Sequence, residues 1–142
     1  MSIDDEALQR ELHDWAEASA CRLCVLFGSR AGTGPTVKAD VDIALDFAEF
    51  PGPDTRLDII GEIQALCGEA MADVVFLHAR TDPVLRFEIF RQGLLVYEAE
   101  RGLFVDGKVR SLMLYEDAIP FRRLLREKLR RGVEETGRRR VT

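Results

Sequence analysis

An apolar run, Leu23 to Phe27, stops at Gly28 and Ser29, and ten residues later the chain reads Asp40-Val41-Asp42. A glycine directly after a strand lets the backbone turn sharply and come close to a ligand. Amide groups freed at such a turn form an anion pocket, to which the Ser29 hydroxyl and the Arg30 guanidinium can add donors. Asp40 and Asp42 alternate with apolar Val41, Ile43 and Leu45. Residues two apart on a strand share a face, roughly 6.6 Å from one another along the backbone. Two carboxylates so placed can converge on hard divalent cations of the kind used for phosphoryl transfer. By itself the Asp-x-Asp pair better suits a half-exposed strand with acids in water. A third acid, Asp73, opens the apolar run Val74 to Leu77. On a neighbouring strand it could share a cation with the first pair and take the proton from an attacking hydroxyl. The competing reading is an exposed acid at the start of a strand.

Those residues need elements to hold them. The spacing of Ile3, Leu8, Leu12, Trp15 and Ala16 predicts a helix over 3–19, with acids in its first turn where the helix dipole favours them. Strands are predicted over 22–27 and, from strict alternation, 41–47. Leu57, Ile60, Ile63 and Cys67 form one stripe of a helix over 54–67 that Gly68 ends. A strand over 72–77 follows. Asp82 and Pro83 then cap and start a helix over 84–92, closed by Gly93. Leu94 to Tyr97 is a further short strand, and helices are predicted over 103–117 and from Phe121 to about Val133, with Pro120 starting the last. This order describes one α/β domain over 1–142, its strands gathered in the first two-thirds and its end helical.

Composition narrows the class. The 142 residues are 46% hydrophobic and 32% charged, enough to build a core without a staple and too apolar for disorder. No apolar run approaches the ~18 residues of a membrane span. Acids near the start, Asp4, Asp5 and Glu6, oppose a secretory signal and point to the cytoplasm. Cys21, Cys24 and Cys67 are expected to be buried free thiols, because a zinc site would want a second close pair of ligands and His13 and His78 stand alone. Charge is uneven: residues 1–120 carry 11 basic and 22 acidic side chains, residues 121–142 carry 9 and 3. A net −11 body repels a polyanion, so nucleic acid is disfavoured as a direct substrate. The +6 end suits either an acidic partner or a solvated helix.

Taken together, strand, Gly28-Ser29 turn, ten-residue spacer, Asp40-Val41-Asp42 and a later Asp73 resemble the DNA polymerase β-like nucleotidyltransferases. Within that superfamily the spacing is similar to that of the minimal nucleotidyltransferase (MNT) antitoxins of HEPN/MNT toxin–antitoxin pairs. The resemblance covers about residues 8–115 and includes Asp73-Val74-Val75-Phe76-Leu77, Asp82-Pro83-Val84-Leu85-Arg86 and Leu94-Leu95-Val96-Tyr97-Glu98, leaving a basic helical segment over 119–142. It implies the polymerase β-like fold, a small mixed sheet flanked by helices. It further implies that Gly28, Ser29 and Arg30 bind the nucleotide phosphates, and that Asp40, Asp42 and Asp73 are catalytic and hold Mg²⁺, at two sites. Gly32 and Thr33 follow Ala31 where the family more usually has Arg-Gly, so one basic side chain is missing and Lys38 is a partial substitute. The implied activity is transfer of AMP from ATP to a tyrosine hydroxyl of a cognate HEPN RNase toxin, which silences it. Two alternatives stay open: a nucleotidyltransferase acting on a small aminoglycoside-like acceptor, and a non-catalytic module that masks a toxin by contact.

Overall fold

The computed structural model describes residues 5–28 and 40–141. In chain order these form α1 (Asp5–Ala18), β1 (Leu23–Phe27), β2 (Val41–Asp46), α2 (Pro53–Cys67), β3 (Ala72–Phe76), α3 (Pro83–Gln92), β4 (Leu94–Glu98) and α4 (Leu103–Val141). The strands make one mixed sheet in the order β3-β2-β1-β4. β1 runs antiparallel to β2 and β4, while β2 and β3 are parallel and joined through α2. This is the small mixed sheet flanked by helices that the sequence resemblance implied.

Strand alternation sorts the apolar side chains into two layers. Cys24 and Leu26 of β1 and Val41, Ile43 and Leu45 of β2 face one side, where they pack with Leu8, Leu12 and Ala16 of α1 and Ile59, Ile63 and Cys67 of α2. Leu23, Val25 and Ala44 face the other, against Ile89 and Phe90 of α3 and Phe104 of α4. The Trp15 indole donates to Glu62 Oε2 at 2.8 Å, linking α1 to α2. All three cysteines are buried thiols outside any disulfide. Burial pushes the Cys21 thiol up to about 11 and raises that of Cys24 as well, so neither is a ready nucleophile.

The predicted ends of α3 hold. Asp82 Oδ1 accepts from the Val84 amide at 3.0 Å, and Pro83 occupies the first turn, where its missing N–H costs nothing. The end of the chain differs from expectation. Instead of two helices separated at Pro120, α4 runs without a break from Leu103 to Val141 with Pro120 inside it. Pro120 removes one backbone donor, but it is exposed, so water can serve the carbonyl left unpaired. The Leu, Arg, Glu and Lys residues that follow are strong helix formers, and Arg131 bonds Glu127 one turn back at 2.9 Å. Among the described residues no helix is long and apolar enough to cross a membrane.

Candidate active site

Asp42 lies at the centre of the site because of where two strand pairings place it. In the antiparallel pair with β1 it stands opposite Phe27, and in the parallel pair with β3 it stands opposite Asp73. Strand alternation puts both carboxylates on the α3/α4 face, in line with Ala44, Val75 and Leu77. Asp40 precedes the strand and is exposed. The Val41 amide donates to the Met71 carbonyl at 2.8 Å, which fixes the start of β2, and with it Asp40, beside the turn that leads into Asp73.

That turn is held by a residue the sequence pattern did not single out. The Gln64 side chain donates to the Ala70 carbonyl at 2.8 Å and accepts from the Ala72 amide at 3.0 Å. One amide group thereby clamps the chain on both sides of Met71, two residues before Asp73. Nothing in its spacing distinguishes Gln64 from any polar residue on an amphipathic helix; only the α2–β3 turn gives it this place.

Gly28 has a second reason to be glycine. Its φ of +75° lies in the region that side chains disfavour. A Cβ built there would also fall on Asp42 Oδ2 and sit 3.0 Å from Asp42 Cγ. The turn after β1 therefore closes directly over the central carboxylate, a contact that comes from the Phe27–Asp42 register and is invisible in the motif. Ser29, Arg30 and Lys38, the other residues expected near phosphate, lie outside the described residues.

The electrostatics of the three acids agree with this geometry. Burial pushes the Asp42 carboxyl above the usual carboxylate range, and the negative charges of Asp73 and then Asp40 push it further the same way. Like charges gathered at a partly desolvated point leave a site short of positive charge. The donor set, hard carboxylate oxygens only, fits a divalent cation such as Mg²⁺. The ligand atoms of the three acids are not all within 4.8 Å of one another. Among the described residues the cluster that does meet that distance is His13, Asp14 and Glu17, all exposed on α1.

Farther along the same face of β2, Asp46 meets a different environment. Burial raises its carboxyl too, but Arg22, Arg86 and Arg110 oppose the rise. Arg86 also donates to the His78 carbonyl at 2.7 Å, anchoring the β3–α3 connection.

Comparison with known proteins bears on the family and the fold. Residues 12–102 match the family model described as "Polymerase beta, Nucleotidyltransferase". The chain belongs to that nucleotidyltransferase family. Its fold is shared by several solved structures. One is a mutant of the toxin–antitoxin MntA–HpeT, at TM-score 0.72 and 15% identity over 85% of this chain and 97% of that one. Another is a tri-AMPylated Shewanella oneidensis HEPN toxin in complex with MNT antitoxin, at TM-score 0.71 and 17% identity over 87% and 97%. A third is a toxin–antitoxin with AMP-PNP, at TM-score 0.71 and 18% identity over 85% and 97%. No curated protein matches the sequence at a significant level.

Proposed function

We propose that this protein is an MNT antitoxin that transfers AMP from ATP to a tyrosine hydroxyl of a cognate HEPN toxin, working in the cytoplasm as a single domain over residues 1–142. The observation that carries the reading is the convergence on Asp42: Asp73 in register beside it, Asp40 adding charge, and Gly28 closing over its carboxylate. Support for the substrates comes from the solved structures of similar fold, one with an AMPylated HEPN toxin and one with AMP-PNP.

In this mechanism the tyrosine oxygen forms a bond to the α-phosphorus of ATP as the bond from that phosphorus to the bridging oxygen breaks, and pyrophosphate leaves. Asp73 takes the hydroxyl proton. Asp40 and Asp42, with Asp73 sharing one site, would hold two Mg²⁺ ions, which supply Lewis-acid stabilisation of the attacking and leaving oxygens. The glycine turn with Ser29 and Arg30 binds the phosphates. Gln64 holds the turn that positions Asp73.

The test is transfer of label from ATP carrying a labelled α-phosphate to the helical product of the neighbouring reading frame, with Mg²⁺ present or chelated. Label on a tyrosine of that product, lost on chelation, is the expected result. Label on an added aminoglycoside but not on protein would replace this reading with the small-molecule one. Toxin neutralisation without any label would replace it with masking by contact.

A further inference from the structure

α4 has two apolar faces, and the described residues cover one. Phe104 and Ser111 are buried, Gly107 fits against the Phe90 ring, and Tyr115 stacks on Phe87 at 4.2 Å. On the opposite side Val105, Val109, Leu112 and Met113 follow one another at helical spacing and are each 47–61% exposed. Four large apolar side chains in one row is more than scattered surface hydrophobicity.

The same row changes character along the helix. Steps of seven from Val109 reach Glu116, Arg123 and Arg130, and the segment from 121 onward is net +6. Just before the helix starts, the Glu98 carboxylate accepts from the Gly102 and Phe104 amides at 3.3 and 3.0 Å, and exposed Glu100 lies beside it. One seam therefore runs from acidic, through apolar, to a basic stretch in which Leu124, Leu125 and Leu129 are also exposed. A phosphate-rich ligand would leave its apolar middle in water. A parallel copy would set two basic arms side by side.

We infer that this seam is where a second copy of the chain docks, its α4 lying antiparallel across Val105, Val109, Leu112 and Met113. Centring the pair between Val109 and Leu112 puts Arg123 roughly 8 Å beyond the start of the other copy's helix, at 1.5 Å per residue, where Glu98 and Glu100 lie. The contact is self-complementary, so a two-fold axis closes it. The charge match also extends past these residues, because each +6 arm approaches the −11 body of the other copy.

Sedimentation equilibrium on the full chain tests this. The wild type should show a concentration-dependent mass rising to twice the monomer's 16.0 kDa. Val109→Glu and Leu112→Glu should each weaken association by about 100-fold. Both positions are exposed in the monomer, so circular dichroism should stay unchanged, and so should melting at dilutions where the wild type is also monomeric. Reversing Arg123 and Arg130 to Glu should weaken association by about tenfold, less at high salt, and adding Glu100→Arg in the same chain should restore part of it. A wild type that stays monomeric at every concentration, or a dimer that survives both glutamate variants, overturns the inference. So does a monomer whose exposed α4 row proves essential only for binding the neighbouring-frame product, which would assign the face to that protein.

Discussion

Asp42 and Asp46 sit on the same face of one strand, four residues apart, and burial raises both carboxyls. Their surroundings have opposite signs. Around Asp42 the next influences are Asp73 and Asp40, which add to the rise, whereas around Asp46 they are Arg22, Arg86 and Arg110, which oppose it. A half-buried acid with cations beside it is partly compensated within the chain. A buried acid among acids is unsatisfied, and its repulsion is relieved only when something positive arrives. The sign of the surrounding charge, more than burial, separates a binding site from a structural contact.

The largest expected effect breaks the Asp42 end. Asp42→Asn keeps the shape and removes the charge, so AMP transfer should fall by at least about 10³-fold, while thermal unfolding shows a fold as stable as the wild type or more so. Transfer that survives this change, measured with labelled ATP, would dissolve the contrast between the two aspartates.

Gly28→Ala comes next. The added methyl group collides with Asp42 and meets an unfavourable φ, so the carboxylate must move. A displacement near 1 Å in a catalytic group costs about 10²-fold in rate. Steady-state kinetics should show the loss mainly in kcat, with the protein still folded by circular dichroism.

At the other end of the strand, Asp46→Asn should do little to either quantity. It removes the counter-charge of Arg22, Arg86 and Arg110 but also the burial cost that leaves this carboxyl raised on balance, so unfolding free energy should shift by less than about 1 kcal/mol. The transfer rate should stay within about twofold, well under the ~1.4 kcal/mol of a tenfold change. Urea unfolding and the transfer assay together check both halves.

The smallest effect concerns pH. A carboxyl with a raised folded value binds more protons folded than unfolded between its ordinary and its raised value, so stability falls as pH rises through that window. Asp42 and Asp46 share this direction. Asp42→Asn should flatten part of the fall. Mg²⁺ should raise the melting temperature of the wild type above the window, lose that effect as protons compete below it, and do little for Asp42→Asn at any pH.

The match between chain and pattern was uneven for physical reasons. Strands β1 to β4 and helices α1 to α3 were legible because each carries its own periodicity and local stop signals, such as Asp82, Pro83 and Gly93 around α3. The end of the chain was not, because proline is a local signal whose cost an exposed helix of strong formers can absorb, and α4 continues through Pro120. The three acids were legible as types at a suggestive spacing. That Asp73 stands opposite Asp42 depends on the parallel β2–β3 register, which no local residue encodes.

Sequence by itself determined the element order, the alternation that turns Asp42 away from Val41, Ile43 and Leu45, and the split between an acidic body and a basic end, since each follows from covalent neighbours or from counting. Tertiary structure alone decided what lies within reach of each charge. It put Gly28 over Asp42, Gln64 across the turn before Asp73, Arg86 beside Asp46, and left one face of α4 uncovered. Those outcomes come from strand register and helix packing, which join residues far apart in the chain, and Coulomb and contact energies depend on distance in space.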